Sequence, residues 1–166
     1  EEHGQVRVQF SRLRRPKEIT SWVNHLALQC FAPPGHPRSA LLVGRQPKDA
    51  REIEVSFRTV TNPESLLGDL IALLQLGATI PVPFFPGTSR VYVETFRKTG
   101  SIVKALEDAR TAHTPERTWG EGFDAYNALA FSGRDPFEGD PEEPGSFHDV
   151  ALRVYGPMLD HREAKP

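Results

Sequence analysis

The stretch Pro81-Val82-Pro83-Phe84-Phe85-Pro86-Gly87-Thr88-Ser89 sets the plan of the chain. Prolines at 81, 83 and 86 exclude a helix interior and a central strand, because each removes a backbone donor and fixes φ. Each also drives the residue before it toward an extended conformation. The chain therefore runs extended and stiff through Phe85 and turns at Pro86-Gly87. Thr88 or Ser89 is then placed to cap a new helix, its hydroxyl satisfying a backbone N–H left open in the first turn. A helical pattern precedes the stretch and ends at Gly77. The stretch is thus a rigid strap between two helices. Neighbouring side chains of an extended segment point to opposite sides, so one of Phe84 and Phe85 enters the core and the other meets a second surface or solvent.

Upstream of the strap, Asn62-Pro63 is a helix start, an N-cap followed by proline in the first turn. Leu66, Leu67, Leu70, Ile71, Leu73 and Leu74 then cover more than half the helix circumference, which predicts a central buried helix. Residues 39–44 and 52–60 read as two strands, an antiparallel pair joined by the loop 45–50. Pro16 opens a helix whose apolar stripe is Ile19, Trp22, Val23, Leu26, Cys30 and Phe31. Residues 5–10 alternate, with Val6, Val8 and Phe10 on one face and Gln5, Arg7 and Gln9 on the other, the pattern of a half-buried strand.

Downstream, residues 89–98 form a helix that Gly100 ends, and Ser101 caps another with Ile102, Val103, Leu106 and Ala109 inward. The irregular stretch 113–121 leads to a short helix at 123–131, closed by Gly133. Residues 135–145 carry acids, prolines and glycines and read as an exposed acidic loop. A last amphipathic helix at 147–159 is expected to kink or stop early at Gly156-Pro157. The architecture is α+β, a small mostly antiparallel sheet packed with helices. A chain of 166 residues suits a single domain over 1–166, burying roughly 68–70% of its unfolded surface.

The strap's Pro-x-Pro-Phe-Phe-Pro-x-Thr-Ser resembles the signature in the C-terminal domain of the gamma subunit of exodeoxyribonuclease V, the RecC family. Ser21-Trp22-Val23-Asn24-His25-Leu26-Ala27-Leu28 is similar to that domain's first helix, a Trp followed by His-Leu. Asp124-Ala125-Tyr126-Asn127-Ala128-Leu129-Ala130-Phe131 resembles its Asp-x-Tyr-x-x-Leu-Ala-Phe segment. Order and spacing fit across most of the chain. Gly87 stands where a basic residue is common, and Ala125 where proline is common. The resemblance implies a restriction-endonuclease-like nuclease fold with its catalytic residues lost, in a C-terminal fragment of a longer chain. It also implies a non-catalytic part of a RecBCD-type helicase–nuclease that processes double-strand breaks. RecB-like and RecD-like subunits would then be the partners and would use ATP and Mg²⁺.

The residues themselves bound the chemistry. A net charge of −2 gives no global nucleic-acid signature, so any DNA contact comes from a local patch. That patch is Arg12, Arg14, Arg15 and Lys17, whose clustered cations suit sequence-blind binding to backbone phosphates; the plainer reading is a solvated loop with ion pairs to Glu18 or to the acidic region. The candidate partner-docking residues are Phe84 and Phe85; the plainer reading is that both rings are buried in this domain's own core, since tandem phenylalanines are usually packing. Trp22 sits on a helix stripe and reads as core, whereas Trp119 lies in a loop, open to stacking. Cys30 is the lone cysteine, so no intrachain disulfide forms, which suits a reducing, cytoplasmic compartment. It reads as a small buried hydrophobe, and His25 as a satisfied structural histidine. No apolar run is long enough for a membrane span, so no membrane partner is expected.

A metal-dependent nuclease of the restriction-endonuclease class needs an acid at one strand end and Glu-x-Lys on its neighbour. The strand at 52–60 reads Glu-Ile-Glu-Val-Ser-Phe-Arg, without lysine two residues after either acid. Glu163-Ala164-Lys165 is expected in the tail, beyond any strand. No catalytic residue and no metal site is therefore assigned, nor any cofactor in this chain. Two alternatives stay open: a nuclease with unrecognised ligands, and an unrelated protein-interaction module.

Overall fold

The computed structural model describes residues 4–46, 51–116 and 119–165. His3, most of the expected loop 45–50, and residues 117–118 of the irregular stretch lie outside them. The chain divides into two compact units, Glu1–Leu70 with Pro157–Pro166, and Ile71–Gly156.

The first unit is built on a four-stranded sheet of order β1-β2-β3-β4. Its strands are β1 (Gln5–Arg12), β2 (Ala40–Arg45), β3 (Glu52–Phe57) and β4 (Arg162–Lys165). β1 and β2 run parallel, with helix α1 (Arg15–Phe31) in the connection, while β2–β3 and β3–β4 are antiparallel. The class is α+β as expected, with a mixed sheet. β4 corrects the sequence reading: Glu163-Ala164-Lys165 is strand, with Ser56 opposite Glu163 and Glu54 opposite Lys165. A short charged segment has no strand propensity of its own. It is held by the ladder and by Arg162, whose Nε donates to buried Glu18 Oε2 at 2.8 Å.

α1 packs on one sheet face, with the Trp22 ring 5.3 Å from Phe57. Ala40, Leu42, Val55 and Phe57 are buried on that side. The buried side of α1 is Glu18, Ser21, Trp22, His25, Leu26 and Gln29, displaced from the expected stripe. Phe31 is exposed, and Cys30 is half-buried rather than buried. Burial, then the charge of Glu64, raises the Cys30 thiol pKa. The alternation in β1 is present, but its apolar side faces outward: Val8 is 62% and Phe10 87% exposed. Register decides this. Gln5 and Arg7 pair with the buried Ala40 and Leu42, which sends Val6 and Val8 to the opposite side with Leu41 and Val43.

Helix α2 (Pro63–Gly77) starts where Asn62-Pro63 predicts. It is not a central buried helix: Leu73 is its one buried leucine, and Leu74 is 74% exposed. The periodicity was sufficient to define a helix, but an apolar circumference does not supply the neighbours that would cover it.

The second unit packs helices α3 (Pro86–Thr99) and α4 (Ile102–His113) as a hairpin. Gly100 turns the chain at φ 67, and Ser101 Oγ accepts from Lys104 N at 3.2 Å. A 3-10 turn (Glu121–Phe123), α5 (Ala125–Phe131) and the start of α6 (Phe147–His161) complete it. Phe85, Tyr92, Phe137, Phe147 and Tyr155 make an aromatic core. α6 runs on through Pro157 rather than ending there. Buried Val154, Tyr155 and Met158 flank the proline, and their burial outweighs its cost of about 3 kcal/mol. Residues 135–145 are exposed for the most part, but Asx turns lace them: Phe137 N donates to Asp135 Oδ1 at 3.0 Å and Glu142 N to Asp140 Oδ1 at 2.9 Å.

Candidate functional site

Leu13 fixes the basic loop of the first unit. Its side chain is buried, and its N–H donates to the Arg45 carbonyl at 2.8 Å. Gly44 makes room for it, since a Cβ there would lie 2.5 Å from Leu13 Cδ2. Arg12 and Arg14 flank this anchor and are exposed, as is Lys17 in the first turn of α1. Arg15 is half-buried, its Nη1 3.6 Å from Glu18 Oε1. The β1–β2 register sets exposed Arg45 opposite Arg12, a fifth cation that the sequence hid because it lies on another strand. Arg14 is the N-cap of α1, which has no side-chain cap; Pro16 brings no N–H and Lys17 N donates to the Arg14 carbonyl at 2.9 Å, so the positive charge of this edge is that of its side chains. This arrangement suits a phosphate backbone and carries no base-reading geometry.

His25 lies deeper in the same unit, fully buried between Trp22 and Phe57. Its Nε2 is 3.0 Å from the Arg58 carbonyl, so the neutral ring donates from that nitrogen. Nδ1 has no partner. A proton there would be stranded in an apolar site, and burial accordingly lowers the His25 pKa, against the Arg58 bond that raises it. Trp22 is core, and Trp119 is exposed.

The strap in the second unit is anchored at several points. Phe85 is 1% exposed, its ring 4.4 Å from His113 and 5.6 Å from Phe131. Phe84 is half-buried, 6.0 Å from the Tyr155 ring, and Tyr155 Oη donates to the Pro86 carbonyl at 2.7 Å. The helix begins at Pro86, with Phe85 as N-cap and no capping side chain of its own. Thr88 and Ser89 therefore lie inside the first turn rather than at the N-cap, although Ser89 Oγ does accept from the Phe85 N–H at 3.2 Å as the expected hydroxyl bond. The cap comes from afar: Glu121 accepts from Gly87 N on Oε1 at 2.9 Å and from Thr88 N on Oε2 at 2.8 Å. Proline at the first helical position needs no N–H, and the carboxylate takes the next two. Gly87 lets Glu121 approach, since a Cβ there would stand 3.2 Å from Oε2. Buried His113 lies alongside, Nδ1 3.4 Å from Thr88 Oγ1, and burial lowers its pKa against the raising charges of Glu121 and Asp135.

The model of the family described as the RecC C-terminal domain matches residues 1–97 of the chain. The chain belongs to this family. No curated protein gives a significant match. The matched span holds the basic loop and the strap; the Asp124–Phe131 segment falls outside it. As a RecC C-terminal domain, the chain is related to a DNA-repair component of the multi-subunit RecBCD, or exonuclease V, assembly. No helix among the described residues of this domain is long and apolar enough to cross a membrane.

On the open face of the sheet, Glu54 and Ser56 of β3 neighbour Glu163 and Lys165 of β4. Glu163 Oε1 lies 3.4 Å from Arg58 Nε. Among the described residues no group of three His, Cys, Asp or Glu side chains is close enough to hold a metal ion.

Proposed function

We propose that this RecC C-terminal domain is a non-catalytic docking and DNA-guiding element of a RecBCD-type helicase–nuclease acting on double-strand breaks in the cytoplasm. Its partners are RecB-like and RecD-like subunits, which use ATP and Mg²⁺. The observation that carries the reading is the strap. Phe85 and Glu121 fix it to the second unit, yet Phe84 stays half-buried at its surface. Ile80 and Leu74, just before it, are exposed. A stiff apolar segment loses little backbone entropy on association, and an aromatic held there serves as an anchor. The Arg12–Arg14–Arg15–Lys17 patch with Arg45 gives DNA a weak, sequence-blind track. The test is assembly: Phe84→Ala folds but joins the cognate subunits poorly. Normal assembly of that variant would remove the strap from the account.

One observation favours a second reading, a nuclease on a degenerate restriction-endonuclease-like sheet. Glu163-Ala164-Lys165 forms a strand beside Glu54 after all. In that reading Glu54 and Glu163 hold the metal and Lys165 assists the attacking water. Incubating the chain with linear DNA and manganese separates the two. The docking reading expects no cleavage; cleavage that Glu54→Ala and Glu163→Ala both abolish establishes the nuclease.

A further inference from the structure

A groove of about 420 Å³ opens in the second unit where the strap meets the acidic loop. The end of α2 and the strap line it with Leu76, Ile80, Pro81 and Pro83. The acidic loop lines it with Asp135, Glu138 and Glu143, and Phe147 and Arg134 also border it. We propose that this groove receives a protein segment that presents lysine or arginine beside apolar residues. The proposal rests on the docking reading and deepens it, by naming the surface and the chemistry of its occupant.

Shape and charge argue together. The strap wall is preformed, because Pro81 and Pro83 fix their own φ and bias their neighbours. Gly145 brings the loop up to the helix end, a Cβ there lying only 3.6 Å from Leu76 Cδ2 at φ 87. Its N–H donates to Asp149 Oδ2 at 2.8 Å, which ties the loop to α6. The volume falls within the range of about 300–1,000 Å³ typical of ligand pockets. Asp135 already holds Arg110 at 2.7 Å. Glu138 and Glu143 form no ion pair with any described residue, and a single cation, Arg134, lines the groove against three acids. Such a rim repels phosphates, which excludes nucleic acid as the occupant, and it attracts an ammonium or guanidinium. A lining that is apolar from one segment and acidic from another suits a side chain whose stem is apolar and whose head is charged. Nothing in the acidic composition of 135–145 shows this pairing with the strap; the fold brings the two stretches together.

The experiment uses the full chain co-purified with its RecB-like and RecD-like subunits. A photoreactive benzoylphenylalanine replaces exposed Ile80, and the crosslinked peptide is sequenced. The expected product is a partner-subunit segment carrying lysine or arginine. In parallel, Glu138→Lys with Glu143→Lys weakens assembly roughly tenfold or more, while the thermal midpoint holds. Changing the crosslinked partner's cation to glutamate restores assembly of that variant. Crosslinks to DNA or to an uncharged or acidic segment overturn the proposal, as does unchanged assembly of the double variant. Failure of the wild-type chain to assemble at all is distinguishable from these, because it removes the docking reading itself and this proposal with it.

Discussion

Replacing Glu121 by alanine should loosen the strap without touching any residue of it. The carboxylate accepts from two helical N–H groups, at Gly87 and Thr88. Loss of an ordinary N-cap costs about 0.5–2 kcal/mol, and a carboxylate in the first turn adds about 0.3–1. Glu121 is half-buried, so water replaces part of what is lost, and about 1–2 kcal/mol is the net expectation. In a chain of this size that lowers the thermal midpoint by roughly 2–8 °C. Glu121→Gln keeps one acceptor but turns an amide NH₂ toward a backbone N–H, and recovers little. Gly87→Ala sharpens the test, because its Cβ would stand 3.2 Å from Oε2. Its cost should shrink when Glu121 is already alanine, giving a coupling of about 0.5 kcal/mol or more in a double-mutant cycle. Urea denaturation followed by circular dichroism measures the four proteins of the cycle and Glu121→Gln. A Glu121→Ala variant within about 0.3 kcal/mol of wild type and strictly additive with Gly87→Ala refutes the remote cap.

Phe85→Ala should cost about 3–5 kcal/mol, because its ring is fully enclosed, and Phe84→Ala clearly less; equal losses in urea unfolding would contradict the division of roles between them. Burial lowers the pKa values of His25, His113 and His148, so the unfolded chain binds more protons below the ordinary value of about 6.5. Stability is therefore full above about pH 6.5 and falls as pH drops toward the depressed folded pKa values, by up to about 1.4 kcal/mol per pH unit per histidine. His25→Gln should flatten that slope, and a urea midpoint independent of pH between about 7 and 5 would sink the assignment. DNA affinity should fall steeply with salt, and reversing Arg12, Arg14 and Lys17 to glutamate should flatten the slope by up to about one unit per lost phosphate contact. Binding unchanged by that reversal moves the DNA track elsewhere.

Local chemistry made much of this molecule legible in advance. Pro63, Gly100, Ser101 and Gly133 sit where fixed φ, a positive φ or a side-chain cap is needed, and each marks an element boundary in the structure, whereas Pro86 opens its helix instead of turning the chain ahead of it. Phe85 enclosed and Phe84 half-buried is a division that the alternating side chains of an extended segment allow. What stayed hidden was nonlocal. β1 shows two faces in sequence, but only its register with β2 says which is covered. β4 has no strand signal without β3 beside it. Glu121, lying in an irregular stretch, caps a helix that begins far upstream, and no periodicity links them. The basic loop could be read in its own segment, yet Arg45 joins it only through the sheet.

Assembly of the chain with RecB-like and RecD-like subunits, its proposed partners, tests the central claim most directly, with wild type and Phe84→Ala compared by light scattering on a sizing column. The account predicts a stable complex for wild type and at least a tenfold weaker one for Phe84→Ala, since interface anchors contribute about 2 kcal/mol or more, with the isolated variant still folded. Equal assembly of the two proteins would contradict it.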